Sequence, residues 1–348
     1  MTTATLTAAG LPPAWSDGLL VCKQVLDLTA DVKTFVLTPS EPGLFRHDPG
    51  QYLTLCLDID GEPVERCYTI SSAPTRPDLL TLTVKRVPGG LVSNHLHDHL
   101  APGGAVWARG PLGRFTINLH PAPKYLFLSA GSGVTPLMSM TRTLYDLSHP
   151  VDVVFAHSAR TYEDIIFRQE LDFIAATTPH IRVRHFLDDR ADQLTAAQLR
   201  TLAPDLSERE VFTCGPAGYM TAVRDMLATE GFDLAHYHEE SFTFAPLPVT
   251  APESGPAPAT GTGYKVQLAR TGRTIECDAE TPVLTAAARE GVTLPASCAQ
   301  GLCGTCKTTL LSGSVDMRHA GGIRPREIAN NKILLCCSTP REDLVIDV

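Results

Sequence analysis

Three cysteines stand within nine residues of this sequence, in the stretch CAQGLCGTC at positions 298–306. Cys298, Cys303 and Cys306 form a C-x4-C-x2-C spacing, and Cys336 follows after 29 intervening residues. Thiols so arranged can form disulfides, bind zinc or ligate an iron–sulfur cluster. Zinc modules usually combine two short cysteine pairs, whereas this chain combines one triplet with one distant cysteine. The pattern therefore favours a cluster that carries electrons.

The cysteine triplet resembles the ligand loop of plant-type ferredoxins, which hold a 2Fe-2S cluster at this spacing. Small residues such as Gly301 and Gly304 let the loop wrap closely, so backbone N–H groups can face the sulfides. The resemblance implies Cys336 as the fourth ligand, because three residues and a proline follow it, as in CCSTP at 336–340. Cys337 is then expected to be a small buried thiol.

A second stretch, RCYTISS at 66–72, resembles the R-x-Y-[ST]-x-S signature of the ferredoxin–NADP reductase family. The residue types suit a flavin: Arg66 can donate paired hydrogen bonds to a phosphate, Tyr68 offers a ring for stacking, and Thr69 can face the flavin N5. In VKRVPGGLVSNHL, at 84–96, a glycine turn opens a helix, which is an anion site. The resemblance implies that Gly90 and Ser93 grip the pyrophosphate of FAD, favoured over FMN. The candidate flavin residues are Arg66, Tyr68, Thr69, Ile70, Ser71, Val84, Lys85, Val87, Gly90, Leu91, Val92 and Ser93.

The helix after this glycine turn carries His95, His97 and His99. Histidines at i and i+4 could share a face and bind a metal, but no HExxH arrangement is present. We expect three solvated histidines.

The third motif follows the apolar run KYLFLSAG and reads GSGVTP at 131–136, with TCGPAGYM at 213–220 further along. Glycines at the carboxyl end of a strand in a parallel sheet lie where such folds bind nucleotides. The family resemblance implies that both turns contact the nicotinamide and that Glu240 and Phe242 lie against the flavin. Ser158 and Arg160 could accept a 2′-phosphate, yet we favour NADH over NADPH. The candidate nucleotide-site residues are Gly131, Gly133, Thr135, Pro136, Ser158, Arg160, Cys214, Gly215, Pro216 and Phe242, and the candidate catalytic residues are Thr69, Thr135, Cys214 and Glu240.

The elements around these motifs predict a multidomain fold. Short alternating runs before residue 120 indicate an antiparallel β-barrel, and the apolar strands that alternate with amphipathic segments after it indicate a parallel α/β sheet. The cysteine region resembles a β-grasp ferredoxin. The predicted parts are a flexible tail at 1–17, an FAD-binding barrel at 18–120, an NAD(P)-binding α/β domain at 121–243, a Pro/Ala-rich linker at 244–263 and a plant-type ferredoxin domain at 264–348.

Composition excludes several classes. The chain has 348 residues, 43% of them hydrophobic, and a net charge of −9 without a basic run, so nucleic acid is not an expected partner. No apolar stretch approaches the ~20 residues that span a membrane. The N-terminus lacks the pattern of a secretory signal, which predicts a cytoplasmic protein with reduced thiols.

Together the motifs resemble oxygenase reductases that pass electrons from NAD(P)H through FAD and 2Fe-2S to a protein acceptor. We expect a Rieske-type oxygenase, because a plant-type cluster near about −400 mV lies at least ~250 mV below Rieske clusters. The stretch MRHAGGIRPREI at 317–328 resembles reductases of enzymes that demethylate glycine betaine and related quaternary amines. A reductase for a hybrid-cluster protein or for a haem-thiolate monooxygenase remains an alternative. An alternative of another class is a non-enzymatic zinc-binding adaptor.

Overall fold

A computed structural model describes residues 17–41, 44–242, 263–292, 294, 301, 306–319, 323 and 325–348. Most of the predicted N-terminal tail and of the predicted linker lies outside these residues, although Asp17 already belongs to the first strand. Cys298 and Cys303 also lie outside them. The chain forms two compact units, one that ends at Phe242 and one that contains residues 263–348.

The first part of unit 1 is an antiparallel barrel, as predicted. Its strands follow the order β4-β3-β6-β1-β2-β5. The two outer strands meet through a bridge between Ile70 and Leu82, which closes the sheet. In the last strand exposed and buried residues alternate, so that Val106 and Ala108 enter the core while Trp107 faces outward. The elements are β1 (Asp17–Thr29), β2 (Val32–Pro39), β3 (Tyr52–Ile59), β4 (Glu62–Thr69), β5 (Leu80–Lys85), α1 (Leu91–His99) and β6 (Ala105–Leu112).

The second part of unit 1 is a parallel sheet with helices on both faces. The strand order is β11-β10-β7-β8-β9, and every neighbouring pair is parallel. Apolar residues of α2 and α3 cover one face, and those of α4 and α5 cover the other. The elements are β7 (Lys124–Ala130), α2 (Val134–Asp146), β8 (Asp152–Ala159), α3 (Arg168–Thr177), β9 (Ile181–Leu187), α4 (Ala196–Leu202), β10 (Glu210–Gly215), α5 (Ala217–Thr229) and β11 (Tyr237–Ser241).

The face under α2 changes character along the strands. Phe127, Phe155 and Phe212 lie in register across three strands and form its apolar middle. Two residues further toward the carboxyl end, five residues lie in register across the strands: Glu240, Cys214, Ser129, His157 and His185. Because side chains two residues apart share a face, the polar row ends the aromatic layer at the edge where the nucleotide motifs lie.

Unit 2 contains the predicted β-grasp. Its sheet has the order β13-β12-β18-β14-β16, with β12 and β18 parallel and the other pairs antiparallel. A separate pair is formed by β15 and β17, and α6 packs into the core. The elements are β12 (Tyr264–Leu268), β13 (Thr274–Cys277), α6 (Val283–Arg289), β14 (Lys307–Ser312), β15 (Val315–Met317), α7 (Pro325–Ala329), β16 (Lys332–Leu334), β17 (Ser338–Pro340) and β18 (Leu344–Ile346).

Among the described helices, none is both long and apolar enough to cross a lipid bilayer. The expectation of three solvated histidines on α1 is wrong for His97. Its ring is buried beside Phe35, and its Nε2 lies 2.9 Å from the carbonyl oxygen of Val84. Burial lowers the pKa of His97, so the ring packs as a neutral group.

Candidate functional site

The end of β4 carries the flavin signature. Thr69 is buried, and its Oγ1 makes no hydrogen bond with any described residue. A buried hydroxyl without a partner costs free energy, so this atom suits a ligand that supplies the missing bond. Burial raises the pKa of Tyr68 and keeps its hydroxyl neutral. Arg66 donates from Nη1 to the carbonyl oxygen of Glu65 at 2.9 Å. The residues present fit a flavin.

Two residues of the signature, Ile70 and Ser71, make their contacts within the barrel. Ile70 is fully buried and donates from its backbone to the carbonyl oxygen of Gln51. The hydroxyl of Ser71 is bonded within the barrel, at 2.8 Å from Thr81 Oγ1 and 2.9 Å from Thr83 Oγ1. These contacts fix where β4 ends, and the Ser71 hydroxyl is oriented toward the β5 strand.

The turn before α1 is shaped as an anion site. Gly89 adopts φ +70°, a conformation that favours glycine, and Gly90 is the N-cap residue. No described side chain caps the helix and its first turn contains no acid, so the N–H groups of Leu91 and Val92 can serve a pyrophosphate. Ser93 Oγ accepts from the backbone N–H of Val87 at 3.1 Å and holds the turn closed. This arrangement fits the diphosphate of FAD.

The last two candidates of this region lie at the end of β5. Val84 is buried and its carbonyl oxygen contacts the His97 ring. Lys85 forms a 3.3 Å ion pair with Asp31. Both therefore hold the edge of the barrel against α1 and the β1–β2 turn.

The two nucleotide turns contact each other at the carboxyl end of the parallel sheet. A Cβ on Gly133 would clash with the carbonyl of Cys214 and lie 2.6 Å from the nitrogen of Gly215. Only glycine permits this approach. Gly131 adopts φ +52°, and Thr135 donates from Oγ1 to the carbonyl oxygen of Ser132 at 3.0 Å. The structure thus brings the GSGVTP and CGP turns into contact, with Pro136 buried in the first turn of α2 and Pro216 as the N-cap of α5.

Cys214 and Glu240 are paired in register at this end of the sheet. Both side chains are buried, and Glu240 Oε2 finds no hydrogen-bond partner among the described residues. Burial raises the pKa of Glu240 to about 8. Burial, with the nearby charge of Glu240, also raises the pKa of the Cys214 thiol. Perturbed, unpaired groups in a nucleotide-binding edge are typical of catalytic positions, and Phe242 packs nearby against the same core.

The end of β8 carries Ser158 and the exposed Arg160. The Arg160 guanidinium is already paired, at 3.4 Å from Asp31 and 3.0 Å from Asp164. Its charge is therefore compensated by two carboxylates.

Two residues that contact the segment after β4 were not identified from the sequence. Ser139 Oγ donates to the carbonyl oxygen of Ser72 at 2.7 Å, and Arg142 Nη1 donates to that of Ser71 at 2.5 Å. Arg142 is held in place by a two-point ion pair with Glu170. Helix α2, which begins at the nucleotide turn, therefore holds the end of β4, which carries the flavin signature and is termed the flavin strand. The available signal was a polar stripe at helical spacing: Thr135, Ser139, Arg142 and Asp146.

In unit 2, strands β14 and β16 bring Cys306 and Cys336 together, because Lys307 pairs with Leu334. The backbone N–H of Cys336 lies 3.5 Å from Cys306 Sγ, and that of Gly301 lies 3.2 Å from Cys336 Sγ. N–H groups aimed at cysteine sulfurs stabilise the negative charge of a bound cluster. These residues fit an iron–sulfur cluster. The Cys337 thiol is only half-buried and lies 3.7 Å from the Leu334 carbonyl oxygen.

Three family models match consecutive parts of the chain. They are an oxidoreductase FAD-binding domain over residues 20–117, an oxidoreductase NAD-binding domain over 127–225 and a 2Fe-2S iron–sulfur cluster binding domain over 266–341. The matches confirm the predicted fold, the order of the three cofactor sites and the choice of FAD. They also favour the iron–sulfur cluster over zinc.

Relatives match over nearly the whole chain. The glycine betaine monooxygenase reductase subunit of Chromohalobacter salexigens is 43% identical over 355 residues, 96% of each chain. The stachydrine N-demethylase reductase subunit of Rhizobium meliloti is 39% identical over 336 residues, 94% of this chain and 95% of that one. The solved structure of phthalate dioxygenase reductase, a modular protein for electron transfer from pyridine nucleotides to 2Fe-2S, superimposes with a TM-score of 0.61 and 25% identity, covering 95% of this chain and 98% of that one.

Proposed function

Because this chain belongs to the oxygenase reductase family that joins FAD-binding, NAD-binding and 2Fe-2S domains, we propose that it supplies electrons to a Rieske-type oxygenase that demethylates a quaternary amine. The nicotinamide supplies a hydride, FAD accepts both electrons, and the cluster passes them on singly. The reductase activity itself follows from the family. The proposal concerns the acceptor and the residues that serve each cofactor.

Each group of residues has a distinct task in this proposal. The two turns that meet at Gly133 and Cys214 receive the nicotinamide nucleotide, and Glu240 lies beside Cys214 with an uncharged carboxyl group. Thr69 forms a hydrogen bond with the flavin through its buried hydroxyl, which has no partner among the described residues. The turn at Gly90 orients the diphosphate through backbone N–H groups. In unit 2, Cys298, Cys303, Cys306 and Cys336 are the proposed cluster ligands.

The observation that carries the choice of acceptor is the 43% identity to a glycine betaine monooxygenase reductase subunit over 96% of both chains. A second relative is a reductase subunit of a stachydrine N-demethylase, and glycine betaine and stachydrine are both quaternary amines. The stretch at 317–328, which resembles such reductases, agrees with this acceptor. The expected setting is the cytoplasm.

The acceptor is tested by reconstitution. The purified protein is mixed with NADH, glycine betaine and the oxygenase component of a glycine betaine monooxygenase, and formaldehyde is measured. Formaldehyde formation that requires all components is the expected result. If the protein reduces cytochrome c with NADH but supports no Rieske oxygenase, the proposed acceptor is wrong. Turnover with a haem-thiolate monooxygenase or a hybrid-cluster protein alone would then favour that alternative.

We also propose NADH as the electron donor. Asp31 and Asp164 compensate the Arg160 charge, and a 2′-phosphate would add negative charge beside them. The double variant Asp31→Asn/Asp164→Asn should raise the kcat/KM ratio of NADPH to NADH by about tenfold. Asp172→Asn, which changes an exposed carboxylate on α3, is the matched control. An unchanged ratio in the double variant would contradict this assignment.

The adjacent cysteines offer a matched test of the cluster ligands. Cys336→Ser should abolish the iron–sulfur absorption and transfer to the protein acceptor, while reduction of the flavin by NADH persists. Cys337→Ser should keep all three. The opposite pattern would assign the ligand to Cys337.

A further inference from the structure

A cluster of imidazole and carboxylate groups lies at the amino end of the parallel sheet, away from the nucleotide motifs. Three segments contribute to it: His120 precedes β7, Glu210 opens β10, and His238 lies in β11. Their ligand atoms all lie within 4.8 Å of one another. All three side chains are partly exposed, so an ion can reach them from solvent.

We propose that His120, Glu210 and His238 form a binding site for a transition-metal dication of the Zn²⁺ class, separate from the iron–sulfur cluster. Two imidazole nitrogens and one carboxylate oxygen suit Zn²⁺, Ni²⁺ or Cu²⁺ and disfavour Mg²⁺ and Ca²⁺, which take oxygen ligands. Three protein ligands leave a fourth tetrahedral position for water.

The present separations between the ligand atoms range from below to above the separation that a tetrahedral zinc ion requires. Ligand atoms about 2.1 Å from a tetrahedral zinc lie about 3.4 Å from one another. Glu210 Oε2 is now 2.6 Å from His238 Nε2, as in a hydrogen bond, and the longest separation in the cluster is no more than 4.8 Å. Small side-chain rotations therefore suffice. The proton shared between Glu210 and His238 leaves to solvent when the metal binds.

The surroundings hold the ligands in orientation. Glu210 Oε1 is 2.6 Å from His236 Nδ1, an outer partner that fixes the carboxylate. The rings of His120 and His238 stack with centroids 3.7 Å apart, and the Phe212 ring lies 4.7 Å from that of His238. The hydroxyl of Tyr125 donates to the carbonyl oxygen of His120 and anchors its segment.

The nearest buried cation does not oppose a dication at this position. Arg209 precedes Glu210 and is fully buried, but its guanidinium is paired with Asp152 at 3.0 Å and with Asp205 at 2.8 Å. Those two carboxylates compensate its charge. A bound metal would tie the segment before β7 to the first residues of β10 and β11.

The test is calorimetric titration of the holoprotein with Zn²⁺ near neutral pH. We expect Glu210→Gln and His238→Gln each to lose one bound Zn²⁺ per chain relative to the wild type, and His236→Gln to weaken that site about tenfold. The double variant His95→Gln/His99→Gln removes another pair of neighbouring histidine rings, on α1, and should retain the site. Flavin and iron–sulfur absorption report that each variant is folded.

Zinc absorption spectroscopy supplies a second readout. Nitrogen and oxygen ligands without sulfur would support the site, and sulfur ligation would overturn it. Wild-type stoichiometry and affinity in Glu210→Gln would also overturn it. If that variant does not fold, His120→Gln, which lies outside the strands, provides the same comparison.

Discussion

Two glutamates on the same face of β10 and β11 occupy opposite ends of the sheet and opposite electrostatic states. Glu240, at the carboxyl end, is buried with an oxygen that has no partner among the described residues, and burial raises its pKa to about 8. Glu210, at the amino end, contacts two histidines at 2.6 Å. Partial burial pushes its pKa up, but the bonds from His236 and His238 outweigh it and leave the pKa below its ordinary value.

The difference shows where this domain tolerates an unfavourable group. A buried carboxyl group with one oxygen that lacks a partner among the described residues destabilises the fold, and its place beside Cys214 supports the proposed role of Glu240 at the nicotinamide site. Glu210 has the reverse character, because its partners stabilise the charged form. The buried carboxyl group at the carboxyl end thus lacks a partner for one oxygen among the described residues, whereas the carboxylate at the amino end already has two.

The largest effect is expected from Gly133→Ala, which alters the nucleotide turn at the carboxyl end of the sheet. The added methyl group would clash with the backbone of Cys214, which cannot move without shifting β10. Displacement of the nucleotide turn by about 1 Å should lower the rate of flavin reduction by NADH about 10²-fold, measured by stopped flow. Gly218→Ala is the control, since no atom lies within 4 Å of the added group. Equal rates in both variants would refute the close-packed turn.

Glu240→Gln tests the raised pKa of the buried carboxyl group and its effect on stability. The unfolded chain loses this proton near 4.5, whereas the folded chain keeps it to about 8. The folded state therefore binds more protons in this window, and its stability falls as pH rises through it, by on the order of a few kcal/mol. The variant should lose this slope and have a higher Tm than the wild type at pH 8 and above. Parallel Tm–pH curves for the two proteins would contradict the raised pKa.

Arg142→Lys tests how the carboxyl end is joined to the flavin strand. Lysine keeps the charge but cannot bind Glu170 at two points and the Ser71 carbonyl together. Loss of a charged hydrogen bond should weaken FAD binding about tenfold, measured as flavin retention on dilution. Arg76→Lys, which alters a more exposed pair with Asp146, should change retention less. Equal losses would show that the contacts of Arg142 with Glu170 and Ser71 are not what stabilises FAD binding.

The smallest effect is expected from Glu210→Gln in protein that has no zinc at the proposed site. The lowered pKa of Glu210 contributes stability above its ordinary value near 4.5, which is lost as pH falls through the folded pKa. The hydrogen bond that His236 donates to Glu210 raises the pKa of His236, which contributes stability below 6.5 that is lost as pH rises. The Tm of the variant should differ most from that of the wild type between these values, by a few degrees at most, and less in high salt. A larger difference at pH 9 would reverse this assignment.

The sequence alone determined the local chemistry of this protein. Glycine turns after apolar strands, an arginine–tyrosine signature and a C-x4-C-x2-C spacing are short-range patterns, and each indicates its cofactor without long-range contacts. Alternating and helical periodicity likewise determined the barrel and the parallel sheet. These motifs and periodicities are present in the chain however its strands and helices pack together.

Only the tertiary structure decided which groups meet. Ser139 and Arg142 are distant in sequence from Ser71 and Ser72, so their hydrogen bonds exist only once α2 packs on the barrel. His97 is buried because α1 lies against β5, a contact that the sequence of the helix did not indicate. The raised pKa of Glu240 and the lowered pKa of Glu210 likewise depend on tertiary contacts. Burial and partners are properties of the packed chain, and two residues of one type acquire opposite states from where the strands place them.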